Sequence, residues 1–177
     1  MKKLIYIICG FCAISNYAQD IARVDARFKL PLVAMLDLKP NNSTVTLSLA
    51  TNEAGEKAAM VTANNKKWLN FSSAVIGNNA RSIFVKIDGG QVPSGIYLKL
   101  STSNVMGNGL GFRGSSAGIL TLTSTPQTIV SNIRGAYTGE GIGNGYELTY
   151  YLEIFDYKLL DFNQSATLTI TLTLTDL

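Results

Sequence analysis

Histidine is absent from this 177-residue chain, and cysteine occurs only at Cys9 and Cys12. Without histidine there is no Ser-His-Asp or Cys-His catalytic arrangement and no His-ligated metal site. Charge is scarce too: Asp, Glu, Lys and Arg make up 15 % of the residues, against about 25 % in ordinary soluble domains. A net charge of +3 is too small for the dense basic face that nucleic-acid binding needs. No apolar run reaches the roughly 20 residues of a membrane-spanning helix, so no stable membrane span is expected. No motif implies a cofactor.

What is present begins with an export signal. Lys2 and Lys3 form a positive start, Leu4 to Ile14 an apolar run, and Asn16-Tyr17-Ala18 a small residue at the cut. Residues 1–18 are therefore expected to be a signal peptide, with Gln19 as the new N-terminus. Acylation of Cys12 would instead anchor the protein, but Cys9-Gly10-Phe11 before it is a poor match to a lipoprotein signal. The expected destination is the periplasm, the outer-membrane surface or the extracellular space. The mature chain would hold no cysteine and hence no disulfide, no thiol nucleophile and no thiolate-bound zinc. Residues 19–177 are enough for one core without covalent staples, and no linker or repeat divides them.

The dominant period is two. From Ala22 the even positions run Ala22, Val24, Ala26, Phe28, Leu30, Leu32, Ala34, Leu36 and Leu38; Val33 and Met35 interrupt an otherwise polar odd set. Alternation of this kind puts the two sets on opposite faces of an extended chain. Pro31 makes the segment an edge strand or a kinked pair. The same pattern predicts strands over Thr44–Leu49, Arg81–Asp88, Gly95–Leu100, Gly118–Thr123, Thr128–Ile133 and Tyr146–Leu160. Trp68–Phe71 is a short candidate, and Ala58–Ala63 reads as either a strand or a helical turn. At the C-terminal end Leu168, Ile170, Leu172 and Leu174 alternate with threonines and are expected to be buried. About eight to ten strands without a long helix predict an all-β fold: an antiparallel β-sandwich, immunoglobulin-like or a related Greek key.

Several stretches invite a chemical reading. Gly109-Leu110-Gly111-Phe112-Arg113-Gly114 has the G-x-G-x-x-G spacing, but a strand follows where a dinucleotide site needs a helix N-terminus. A flexible surface loop is the expectation. The loop Tyr137–Gly145 offers Glu140 and Asn144 to a cation or a sugar. Glu147, Glu153 and Phe155 share one strand face, most simply the solvated one, so a paired-carboxylate hydrolase is not favoured. Tyr97, Tyr137, Tyr146, Tyr151, Tyr157 and Trp68 could stack on a glycan, although Trp68 could equally fill the core.

The tyrosine-rich strand Glu147–Ile154 followed by the threonine-alternating end Ala166–Asp176 resembles the last strands of fimbrial and spore-coat-like secreted subunits and small surface β-sandwich proteins of Gram-negative bacteria. The resemblance covers the signal peptide and the last 30 residues or so of the chain, and it implies assembly or adhesion rather than catalysis. In chaperone–usher fimbriae an alternating N-terminal extension completes the neighbouring subunit's sandwich by β-strand addition; Ala22–Leu38 has that alternation. The disulfide that such subunits often carry is missing. The expectation is an exported structural or adhesive subunit, no enzyme, whose partners are itself or other surface subunits. Contacts are expected at Val24, Phe28, Leu30, Tyr97, Tyr137, Glu140 and Asn144. The alternative is a carbohydrate-binding module.

Overall fold

The computed structural model describes residues 23–41, 43–161 and 165–176, with the side chains of residues 62 and 63 left aside. The expected signal peptide and its cleavage point lie outside the described residues. The chain divides into one unit ending at Leu30 and a second from Pro31 to Leu177.

The second unit is an antiparallel β-sandwich. Its larger sheet contains β1 (Val33–Lys39), β4 (Lys66–Ala74), β6 (Ile96–Thr102), β7 (Leu110–Gly111), β9 (Ile119–Thr121), β11 (Ala136–Tyr137) and β12 (Tyr146–Ile154). β1 takes one edge of β4, while β12 and β11 pair with β4 at its two ends. The smaller sheet has the order β13 (Thr169–Asp176), β5 (Arg81–Gly89), β10 (Gln127–Ile133) and β8 (Ser115–Ser116). β2 (Thr46–Ala50) and β3 (Ala59–Asn64) form a separate hairpin. Ala59–Asn64 is thus a strand and not a helical turn.

The core lies between the facing sheets. Leu69, Leu100 and Leu148 of the larger sheet meet Ile83, Val85, Ile129 and Ile133 of the smaller one, and all are fully buried. Period two assigned these faces correctly: Leu148 is buried while Glu147 and Glu153 are not. Thirteen strands among the described residues exceed the expected eight to ten, because two- and three-residue pairings such as β7, β8 and β11 are too short to show a period. The segment Tyr146–Leu160 is strand only to Ile154; Asp156 then caps a 3-10 turn, Tyr157–Leu159, by accepting from the Lys158 N–H at 2.9 Å.

Two expectations about the ends are corrected. The alternating N-terminal segment is not one strand. Only Val33–Lys39 joins the sheet, and residues 23–32 carry no strand. Pro31 supplies no N–H to a ladder, which suits a boundary there. At the other end Leu168, Ile170, Leu172 and Leu174 face inward, yet each is only half-buried. Their inward side has no complete partner, because among the described residues β13 pairs with β5 alone.

Candidate functional site

The half-buried leucines mark a slot in the sandwich. One wall is β13 with the residue before it, giving Leu168, Ile170 and Leu172; the other is β2 with the residue before it, giving Val45, Leu47 and Leu49; Leu98, Tyr150 and Leu152 form the floor. The cavity measures about 660 Å³, within the range of sites that enclose a sizeable ligand. Among the described residues β2 hydrogen-bonds only to β3 and β13 only to β5. Apolar side chains of both strands line the groove between them.

The ends of the slot differ. One end holds Leu38, Ser43 and Lys67; the other holds Val92, Pro93, Ile96 and Leu160. Lys67 projects from β4 and is 7 % exposed. Its ammonium donates to the carbonyl of Pro40 at 3.0 Å, to the carbonyl of Ser43 at 2.5 Å and to the Ser43 hydroxyl. These acceptors are all neutral. They tie the turn between β1 and β2 to the sheet.

The contacts expected from sequence do not converge on one place. Val24, Phe28 and Leu30 are 91 %, 89 % and 92 % exposed, within the strandless residues 23–32. Tyr97 lies on the outer face of the larger sheet, stacked on Phe155 with ring centroids 4.2 Å apart. Beside it Lys99 pairs with Glu153 at 2.5 Å, which raises the pKa of the lysine. Trp68 is half-buried on that same outer face, opposite Glu147, and not in the core. Tyr137 is an exposed member of β11.

The Asn144 side chain is engaged within its own part of the fold, while the Glu140 carboxylate is exposed. Asn144 Nδ2 donates to the Glu140 carbonyl at 2.8 Å, Asn144 Oδ1 accepts from the Asn108 N–H at 3.3 Å, and the Asn144 carbonyl accepts from Asn70 Nδ2 at 2.6 Å. The Glu140 carboxylate reaches Lys39 Nζ at 3.9 Å. Among the described residues no three His, Cys, Asp or Glu side chains gather to hold a metal. The amide of Asn144 therefore organises the loop.

The G-x-G-x-x-G stretch is also packed, which corrects the expectation of a flexible loop. A Cβ on Gly111, at φ +88°, would stand 2.2 Å from the Gly135 carbonyl oxygen across the β7–β11 pair. Gly145, at φ +81°, approaches the Leu69 carbonyl in the same way. These glycines let neighbouring backbones touch and cradle no phosphate. Sequence inspection missed Lys67 and the slot altogether. The local signal, alternating leucines in β2 and β13, was visible, but it gave no sign that these two strands face one cavity. No family model, no curated protein and no solved structure matches this chain.

Proposed function

We propose that this chain is a structural or adhesive subunit of an exported cell-surface assembly, joined by β-strand addition. The segment that ends at Leu32 in one copy enters the slot between β2 and β13 of the next. One observation carries the proposal: the inward faces of β2 and β13 remain half-buried around a cavity of about 660 Å³, while the same chain carries an alternating apolar segment with Val24, Phe28 and Leu30 almost fully exposed. Each surface is unfavourable alone, and pairing them removes both from water. Donor and acceptor are different surfaces, so the contact is head-to-tail and propagates into a filament instead of closing as a two-fold dimer.

Glycan binding has one observation in its favour, the exposed Tyr97–Phe155 stack beside the Lys99–Glu153 pair. Those rings already cover one face of each other, which leaves less stacking surface for a sugar. The slot has no such internal occupant among the described residues.

Complementing variants test strand addition. A donor-defective chain carries Phe28→Asp and Leu30→Asp; an acceptor-defective chain carries Leu172→Arg, with Leu49→Trp as a slot-filling substitute if the arginine unfolds it. Refolded alone from denaturant, wild type should form a ladder of multimers and each variant should stay monomeric. Refolded together, the variants should give a 1:1 dimer and nothing larger. A wild type that remains monomeric at high concentration, or a mixture without dimer, would overturn the proposal.

A further inference from the structure

The outer face of the larger sheet carries an apolar patch at the end where β1 begins. Register sets it in one row: Met35 of β1 is opposite Ser72 of β4, Ser72 is opposite Tyr137 of β11, and Tyr137 is opposite Leu110 of β7. Residues directly opposite share a face, and Phe112, two residues past Leu110, shares it too. The inward neighbours on these strands, Leu36, Phe71 and Ala136, belong to the core. Met35, Leu110 and Phe112 are 68 %, 65 % and 69 % exposed, and Tyr137 is 47 % exposed. Four large apolar side chains are thus gathered over a row roughly 14 Å long at the usual strand spacing, and they face water.

The composition of the patch suits contact with a protein. Buried interface centres collect aromatic residues, Met and Arg, and are poor in Lys, Asp and Glu. Arg134 lies over the Phe112 ring, 5.7 Å from its centroid, a cation–π contact. No Lys, Asp or Glu stands in the row. Further along β1, Asp37 and Lys39 neutralise each other at 2.9 Å, and Arg113 is turned to the carbonyls of Met106 and Gly107. One free guanidinium is too little charge to hold an anionic lipid surface, which takes a cluster of Lys and Arg.

Chain connectivity indicates which protein. Leu30 is three residues before Val33, the first residue of β1, and three residues span at most about 10 Å. A copy that holds Leu30 in its slot therefore stands beside Val33, and Met35 is two residues further on. We infer that the patch is the body-to-body contact between successive copies. The copy that receives the N-terminal segment also covers Met35, Tyr137, Leu110 and Phe112 of the copy that gives it. This rests on the strand-addition proposal above. The second contact is tied to the first by a few residues of one chain, so the two reinforce each other at high effective concentration.

The complementing variants test this, because their 1:1 dimer has a single junction, with one giving and one receiving copy. Leu110→Thr with Phe112→Thr removes the patch and keeps β-branched residues in β7. Both side chains are exposed, so the melting midpoint of the free chain should move by about 2 °C or less. Placed in the acceptor-defective chain, which gives its segment, the pair should weaken the dimer by about ten-fold or more. Placed in the donor-defective chain, which receives, it should change the dimer by less than about two-fold. Met35→Thr in the giving chain repeats the test from β1, should β7 lose its pairing. A benzophenone carried on Met35→Cys of the giving chain, with Cys9 and Cys12 replaced by serine, should cross-link to the receiving chain. An equal effect from either placement would overturn the inference and leave strand addition standing. Capture of the wild-type chain by phosphatidylglycerol vesicles, lost in L110T/F112T, would assign the patch to a membrane and overturn it as well. If no dimer forms with both patches intact, strand addition fails and this inference with it.

Discussion

Arg81 Nε donates to Asp176 Oδ1 at 2.5 Å across the β5–β13 pair, the guanidinium being 2 % exposed and the carboxylate 70 % exposed. The same guanidinium donates to the Val33 carbonyl and, at 3.3 Å, to Ser73 Oγ. One side chain thus joins the first residue of β1, the end of β4 and the end of β13, at the point where the chain leaves the sandwich toward its N-terminal segment.

The two partners should contribute unequally to stability. Asp176 is well solvated, so Asp176→Asn should cost only about 0.5–1 kcal/mol, as exposed ion pairs do. Arg81→Met leaves the Val33 carbonyl without this donor and should cost about 2–3 kcal/mol. Urea melts of the free subunit would show the difference; equal losses would mean that the ion pair, and not the carbonyl and hydroxyl contacts, dominates.

The core should show a gradient from one side to the other. Leu100 is fully buried, whereas Leu172 is half-buried at the slot. Leu100→Ala is expected to cost about 3–5 kcal/mol in the free subunit. Leu172→Ala should cost about 1–2 kcal/mol, because less apolar area leaves water there on folding. In assembled material the cost at Leu172 should rise toward that at Leu100, read as a larger difference in dissociation midpoint between wild type and variant.

Stability should fall in strong alkali. Burial pushes the phenols of Tyr146 and Tyr150 up to about 12, and Tyr146 keeps its proton on the Arg113 carbonyl at 2.9 Å. In the unfolded chain both ionise near the ordinary value of about 10. The contribution is therefore complete below about pH 10 and is lost as pH rises toward about 12, where the unfolded state has released protons that the folded state retains. Thermal melts at successive pH values should show this decline. Tyr150→Phe should make it shallower, and an unchanged slope would mean that Tyr150 is not buried as described.

Much of the fold was legible along the chain. The period-two pattern identified β2, β5, β6, β12 and β13 and assigned inward faces such as Leu148 and Ile83, because the pleat sends alternate side chains to opposite sides whatever the partner strand. The absence of histidine excludes His-dependent catalysis and His-ligated metals from this chain. Short strands such as β7 and β11 were not legible, since two residues carry no period. Gly111 in β7 looked like loop flexibility, when close approach to the Gly135 carbonyl is what demands it.

The sequence by itself determined that the chain is all-β, which side chains share a face, and that residues 22–38 alternate. Only the tertiary structure decided that this alternation is divided at Pro31, that β1 is held in the chain's own sheet, and that β2 and β13 stand apart with Lys67 at one end of the space between them. The physical reason is that a strand's face is a local property of its pleat, whereas the partner on each edge is set by contacts between distant parts of the chain. β2 and β13 lie far apart in the sequence, and no local pattern in either one records that both line the same cavity.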